Sequence, residues 1–95
     1  MSDAVIYEVV FTDSYNRRAA RWLKRHPDAR LQYLKTLQLV QANPFHPSLR
    51  LHSLSGRLLG LHSISINLSY RITLELLIKD TQIIPVNVGD HDAVY

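Results

Sequence analysis

The last seven residues of this chain, GDHDAVY, set His91 between Asp90 and Asp92 and place Tyr95 four positions on. An imidazole titrates near pH 6.5, so His91 is suited to give or take a proton, and a close carboxylate raises its pKa. Tyr95 is suited to stacking on a base or orienting a hydroxyl. His52 is a second imidazole, set just before an SGR turn. Arg50, Arg57 and Arg71 carry guanidinium forks that match phosphate oxygens and stay ionised. Plainer readings stand beside these. His91 reads equally as a histidine on a solvated turn, His52 as a cross-strand surface histidine, and Tyr95 as a plug closing a small core. Arg71 could pair with Glu75 on its own strand face.

The rest of the composition narrows the options. Ninety-five residues, 46% hydrophobic and 20% charged, describe one ordinary globular domain over 1–95. No cysteine is present, so neither a disulfide framework nor a thiolate zinc site is expected. The five histidines lack the carboxylate spacing of a metal-ligand set, and no cofactor is expected. The N-terminal residues carry no secretion signal, and no apolar run approaches the roughly 20 residues of a membrane helix, so the expectation is a soluble cytoplasmic protein. The net charge of +3 is unevenly spread. Residues 14–71 hold ten Lys/Arg against Asp28 alone, a local +9, while each flank contributes −3. Such a localised field favours polyanions: RNA, DNA or an acidic protein. A solvated helix face is the plainer reading of the same charges.

The elements that must position these groups follow from periodicity. VIYEVVF (Val5–Phe11) predicts a strand, and TDS after it a helix cap. Residues 14–26 carry Tyr15, Ala19, Trp22 and Leu23 at the spacing of one helical face, with arginines filling the remainder. His26 sits at the break, Pro27 suits the first position of a second helix, and Leu31, Leu34, Leu37 and Val40/Gln41 repeat along it. Two helices so closely joined form an antiparallel hairpin. After Pro47 the period falls to two. LRLHSL, GLHSISI, YRITLELLIK and QIIPVNV predict four strands joined by turns short enough to make neighbours antiparallel. The fold class is therefore α+β: an N-terminal strand, a two-helix hairpin and an antiparallel meander, with the helices on one face.

Alternation assigns the faces. Tyr70, Ile72, Leu74, Leu76 and Ile78 lie on one side of the longest strand, Arg71, Thr73, Glu75 and Lys79 on the other. Leu49 and Leu51 oppose Arg50 and His52, Ile64 and Ile66 oppose Ser63 and Ser65, and Val86 and Val88 oppose Asn87. His91 continues on the Asn87 side. Pro85 cannot donate to a ladder and marks an edge or a bulge. His62 falls on the aliphatic side, and His46 in PFHP reads as loop.

HSLSGRLLG (His52–Gly60), INLSYRI (Ile66–Ile72) and VGDHDAVY (Val88–Tyr95) resemble the RelE/ParE superfamily of toxins from type II toxin–antitoxin systems, closest to the RelE/YafQ-like mRNA interferases. The order of elements matches over the whole chain, while the specific motifs lie in its C-terminal half. The resemblance implies a ribosome-dependent mRNA endonuclease that inhibits translation and is neutralised by a cognate antitoxin, the complex also binding operator DNA. It implies a catalytic His91, with Tyr95 holding a base, and a functional His52. Where YafQ-like toxins have a further histidine and an aspartate, this chain has Ser65 and Ser69. Where RelE-like toxins have an arginine, it has Asn67. The sequence given stops at Tyr95, before the third helix or tail of many relatives.

The implied reaction is metal-independent attack of a 2′-OH on the adjacent phosphate. It needs a base, an acid for the departing 5′-oxygen, and positive charge on the phosphorane. The expected catalytic set is His91 as acid, His52 as base or phosphate ligand, Tyr95, and Arg71 for charge. Arg50, Arg57 and Asn67 are expected to bind substrate. Two other functions fit the same fold: a ParE-like toxin that inhibits DNA gyrase without nuclease activity, and a relic that serves only as a corepressor.

Overall fold

A computed structural model describes residues 5–90 of the chain. His91 and Tyr95, the two site residues of the C-terminal segment, lie outside the described residues. The elements follow the predicted order: β1 (Glu8–Val9), α1 (Asp13–Arg25), α2 (Arg30–Ala42), β2 (His52–Ser53), β3 (His62–Ser65), β4 (Tyr70–Leu77) and β5 (Gln82–Asp90). Short 3₁₀ turns at Pro27–Ala29, Pro47–Leu49 and Gly56–Leu58 link them.

Helix α1 starts where the sequence provides a cap. The Thr12 hydroxyl accepts from the Tyr15 N–H at 3.1 Å, and Asp13 stands in the first turn. Lys24 and Arg25 close the last turn, where cations meet the negative end of the helix dipole. Tyr15, Ala19 and Trp22 are its buried face. The buried face of α2 takes in only the later part of the expected repeat, Leu37 and Val40. Ala29, just before the helix, and Tyr33, Thr36 and Val40 turn inward, while Leu31 is 71% and Leu34 43% exposed. Both sets recur at three- and four-residue intervals, so spacing alone could not choose between them. Contact with α1 does, because the Tyr33 hydroxyl meets that of Tyr15 at 2.8 Å in the core.

The sheet order is β1-β5-β4-β3-β2. Strands β2 to β5 form the expected antiparallel meander, and β1 joins β5 in parallel at Glu8↔Gln82 and Val9↔Ile83. The first strand is shorter than Val5–Phe11 because the Tyr7 N–H bonds instead to the Gln41 carbonyl at the end of α2. The strand expected from Leu49 onward is also reduced. Leu49 ends a 3₁₀ turn, and Arg50 adopts a left-handed conformation (φ 50°, ψ 46°), so only His52 and Ser53 pair. Arg50 therefore does not share a strand face with His52. Ile78 leaves the apolar face as well. It lies in the turn after β4 and is 58% exposed.

Pro85 marks a bulge. Leu74 pairs with Pro85 and Thr73 with Asn87, which leaves Val86 as the extra residue. The bulge shifts the alternation by one, so Pro85 and Val88, not Val86 and Val88, share the interior. Ile64, Ile72, Leu74 and Ile83 from the strands then pack against Tyr15, Trp22, Tyr33 and Val40 from the helices. Each fully buried aliphatic side chain contributes about 1.5–3 kcal/mol. Among the described residues no helix is long and apolar enough to cross a membrane.

Candidate functional site

The register sets one row of side chains across the sheet face away from the helices. His52 pairs with Ser63, Ser63 with Thr73, and Thr73 with Asn87, one residue from each of β2 to β5. At the usual strand spacing this row is about 14 Å long. The next same-face row toward the β3–β4 turn is Ser65, Arg71 and Gly89. Arg71 thus stands beside the centre of the first row, about 7 Å along β4 from Thr73. His52, Ser63, Ser65, Arg71, Thr73 and Asn87 occupy the face that alternation assigns to them, while Arg50 does not. It is not uniformly solvated: Ser63 is fully buried and Thr73 is 2% exposed, while His52 is exposed. The Thr73 Oγ1 atom is buried with no hydrogen-bond partner among the described residues.

His52 is held by backbone. Its Nδ1 lies 3.2 Å from the carbonyl oxygen of Arg50. A carbonyl only accepts, so Nδ1 donates in this contact. The carbonyl reaches His52 because Arg50 takes its left-handed conformation, two residues before the histidine.

The loop after β2 is closed by the Leu54 N–H on the Leu61 carbonyl at 2.9 Å. Within it Gly56 (φ +66°) and Gly60 (φ +96°) sit in the left-handed region that favours glycine. Arg57 lies on this loop, exposed. His52, Ser55 and Leu58 border a hollow of about 280 Å³ at the same margin of the sheet.

Asn67 forms the β3–β4 turn. Its Oδ1 accepts from the N–H groups of Ser69 (2.8 Å) and Tyr70 (2.9 Å), and its Nδ2 donates to the Gln32 Oε1 at 2.8 Å. Ser65 donates to the Asn67 carbonyl at 2.7 Å. His46 caps a 3₁₀ turn, with the Ser48 N–H donating to its Nδ1 at 3.2 Å. His62 stays on the helix side, opposite Leu74.

Two features went unread in the sequence. His26 ends α1 and also joins a ring cluster with Trp22 and Tyr70, its Nδ1 lying 3.1 Å from the Tyr70 hydroxyl. Arg18, Arg21 and Arg25, which periodicity places only off the apolar stripe, line a cleft of about 350 Å³ against the end of β5. The concentration of charge on residues 14–71 was the only signal pointing there.

No protein-family model matches the sequence, and no curated protein does. Solved structures do match. YafQ from E. coli strain BL21(DE3) superposes with a TM-score of 0.68 at 18% identity, over 94% of this chain and 98% of that one. The toxin–antitoxin complex RelBE2 from Mycobacterium tuberculosis gives 0.68 at 20% identity, covering 92% of this chain and 100% of the matched one. A YoeB/ParE toxin from Agrobacterium tumefaciens gives 0.70 at 15% identity, covering 88% and 98%. The chain has the RelE/YafQ-like toxin fold.

Proposed function

We propose that this chain is the toxin of a type II toxin–antitoxin system, a ribosome-dependent mRNA endonuclease that blocks translation in the cytoplasm until a cognate antitoxin binds it. The observation that carries the reading is the placement of His52 and Arg71 on one sheet face, away from the helices. That the chain shares its fold with YafQ and with a toxin–antitoxin complex adds support.

The chemistry is a transesterification. His52 Nε2 takes the proton of a ribose 2′-OH as its oxygen bonds to phosphorus. The bond from phosphorus to the 5′-oxygen breaks, His91 supplies that oxygen with a proton, and a 2′,3′-cyclic phosphate remains. Arg71 offsets the charge that gathers on the phosphorane. Arg50 and Arg57 stand at the β2 margin to hold flanking phosphates, Asn67 stands at the far turn, and Tyr95 stacks on a base. The chain's antitoxin complex binds operator DNA in the same scheme.

Inducing the chain and its His52→Ala and His91→Ala variants in cells, then mapping mRNA 5′ ends and plasmid supercoiling, tests the proposal. Codon-phased cuts that vanish in both variants are expected. Intact mRNA with altered supercoiling would instead make this a gyrase inhibitor, and an absence of any growth effect would leave a corepressor.

A further inference from the structure

We infer that the cleft between α1 and the end of β5 is a second anion site, binding the phosphate backbone of single-stranded RNA next to the reacting phosphate; this rests on the RNA-cleaving reading above. Arg18, Arg21 and Arg25 recur at intervals of three and four residues, so they form a row about 10 Å long on one edge of α1. They line the cleft of about 350 Å³ together with His26, Asn87 and Asp90. Three guanidinium groups against one carboxylate leave its fixed charge positive. Arg18 also donates to the carbonyl of the bulged Val86 at 3.3 Å, which ties the row to β5.

Continuity favours RNA as the occupant. Gly89, on the rim of the cleft, is the register partner of Arg71, so the cleft and the open face meet across two adjacent strands. Beyond Ile83, β5 has no further strand on its outer side among the described residues, and a chain lying on the face can pass over that margin to α1. The lining favours a backbone over a protein. Its one large ring, Trp22, is only 7% exposed, so the cleft lacks the apolar pocket that anchors a protein partner. Arginine forks suit phosphate oxygens and read no sequence.

The test uses the full chain and a fluorescent RNA of about 10 nucleotides, 2′-O-methylated throughout so that it cannot be cut. Affinity is measured against salt concentration. The Arg21→Gln/Arg25→Gln pair should bind more weakly and lower the log–log salt slope by about 1.4, since each single-strand phosphate contact contributes roughly 0.7. Arg21→Lys/Arg25→Lys should keep most of the slope, and Lys79→Gln, in the turn between β4 and β5, all of it. Arg21 is exposed, so Arg21→Gln alone, with a fall of about 0.7, serves if the pair does not fold. An unchanged slope in folded variants overturns the inference, whatever the cells show about cleavage. So does loss of binding to a poly-glutamate peptide with RNA binding intact, which would make the cleft a surface for an acidic protein. Cleft-dependent RNA binding with no cleavage in cells would sink the nuclease and keep the site.

Discussion

The Arg50 carbonyl oxygen lies 3.2 Å from His52 Nδ1, a contact that exists because a non-glycine residue holds a left-handed backbone two positions earlier. The pairing orients the imidazole of His52 on its strand. It also makes Arg50 important through its main chain, independently of any phosphate its side chain meets.

His52 is exposed, so His52→Ala should leave the melting temperature nearly unchanged while lowering RNA cleavage about 10²–10⁴-fold, the usual contribution of a general base. Single-turnover cleavage on programmed ribosomes provides the measurement. Activity within a factor of two of the parent would remove His52 from the mechanism.

Arg50→Gly should preserve the left-handed turn and the His52 contact it allows. Arg50→Val should be about 1–2 kcal/mol less stable than Arg50→Gly in a urea titration, because a β-branched residue crowds the neighbouring carbonyl there and glycine does not. Equal stability of the two variants would show that the turn is not under backbone control.

Arg71→Gln should reduce the cleavage rate about 10²–10³-fold, with Arg71→Lys partly restoring it, since lysine keeps the charge and loses the fork. A pure loss of affinity, with the saturated rate intact, would make Arg71 a binding group.

Burial pushes the pKa of the Tyr15 phenol far above its ordinary value, and the neighbouring Tyr33 adds to the rise. Tyr33 is raised too, again by burial, although its hydrogen bond with Tyr15 acts the other way. Both groups stay protonated in the folded chain where the unfolded chain ionises. Their stabilisation is therefore fully present below about pH 10 and is lost as pH rises above it, by up to about 1.4 kcal/mol per pH unit for Tyr15. Denaturant titrations at pH 9, 10 and 11 should show the decline, and Tyr15→Phe should flatten it. A decline of the same size in Tyr15→Phe would assign it to other groups.

Leu31→Lys should change stability by less than about 0.5 kcal/mol, because the side chain already faces solvent, whereas Ile64→Ala should cost about 2–5 kcal/mol. The same denaturation experiment reads both.

The site and the fold differ in how far residue order reaches. Alternation along β3 and β4 placed Ser63, Ser65, Arg71 and Thr73 on one face, because a strand's side chains repeat every two residues whatever it packs against. Leu31 and Leu34 of α2 misled, because a helix with apolar residues on two stripes needs its neighbour to choose between them. Tyr15 makes that choice by pairing with Tyr33. Pro85 signalled a break in the ladder, yet only pairing with β4 showed that Val86 is the inserted residue and that Pro85, not Val86, shares the interior with Val88.

Sequence by itself determined the order of elements, the faces of β3 and most of β4, and the concentration of positive charge, since each depends on residues near one another in the chain. Tertiary structure decided what those residues meet. It brought Arg71 beside the row running from His52 to Asn87, bent Arg50 so that its carbonyl orients an imidazole, and set three arginines of α1 against the end of β5. Those are contacts between separate elements or through an unusual backbone angle. Local periodicity carries no information about either.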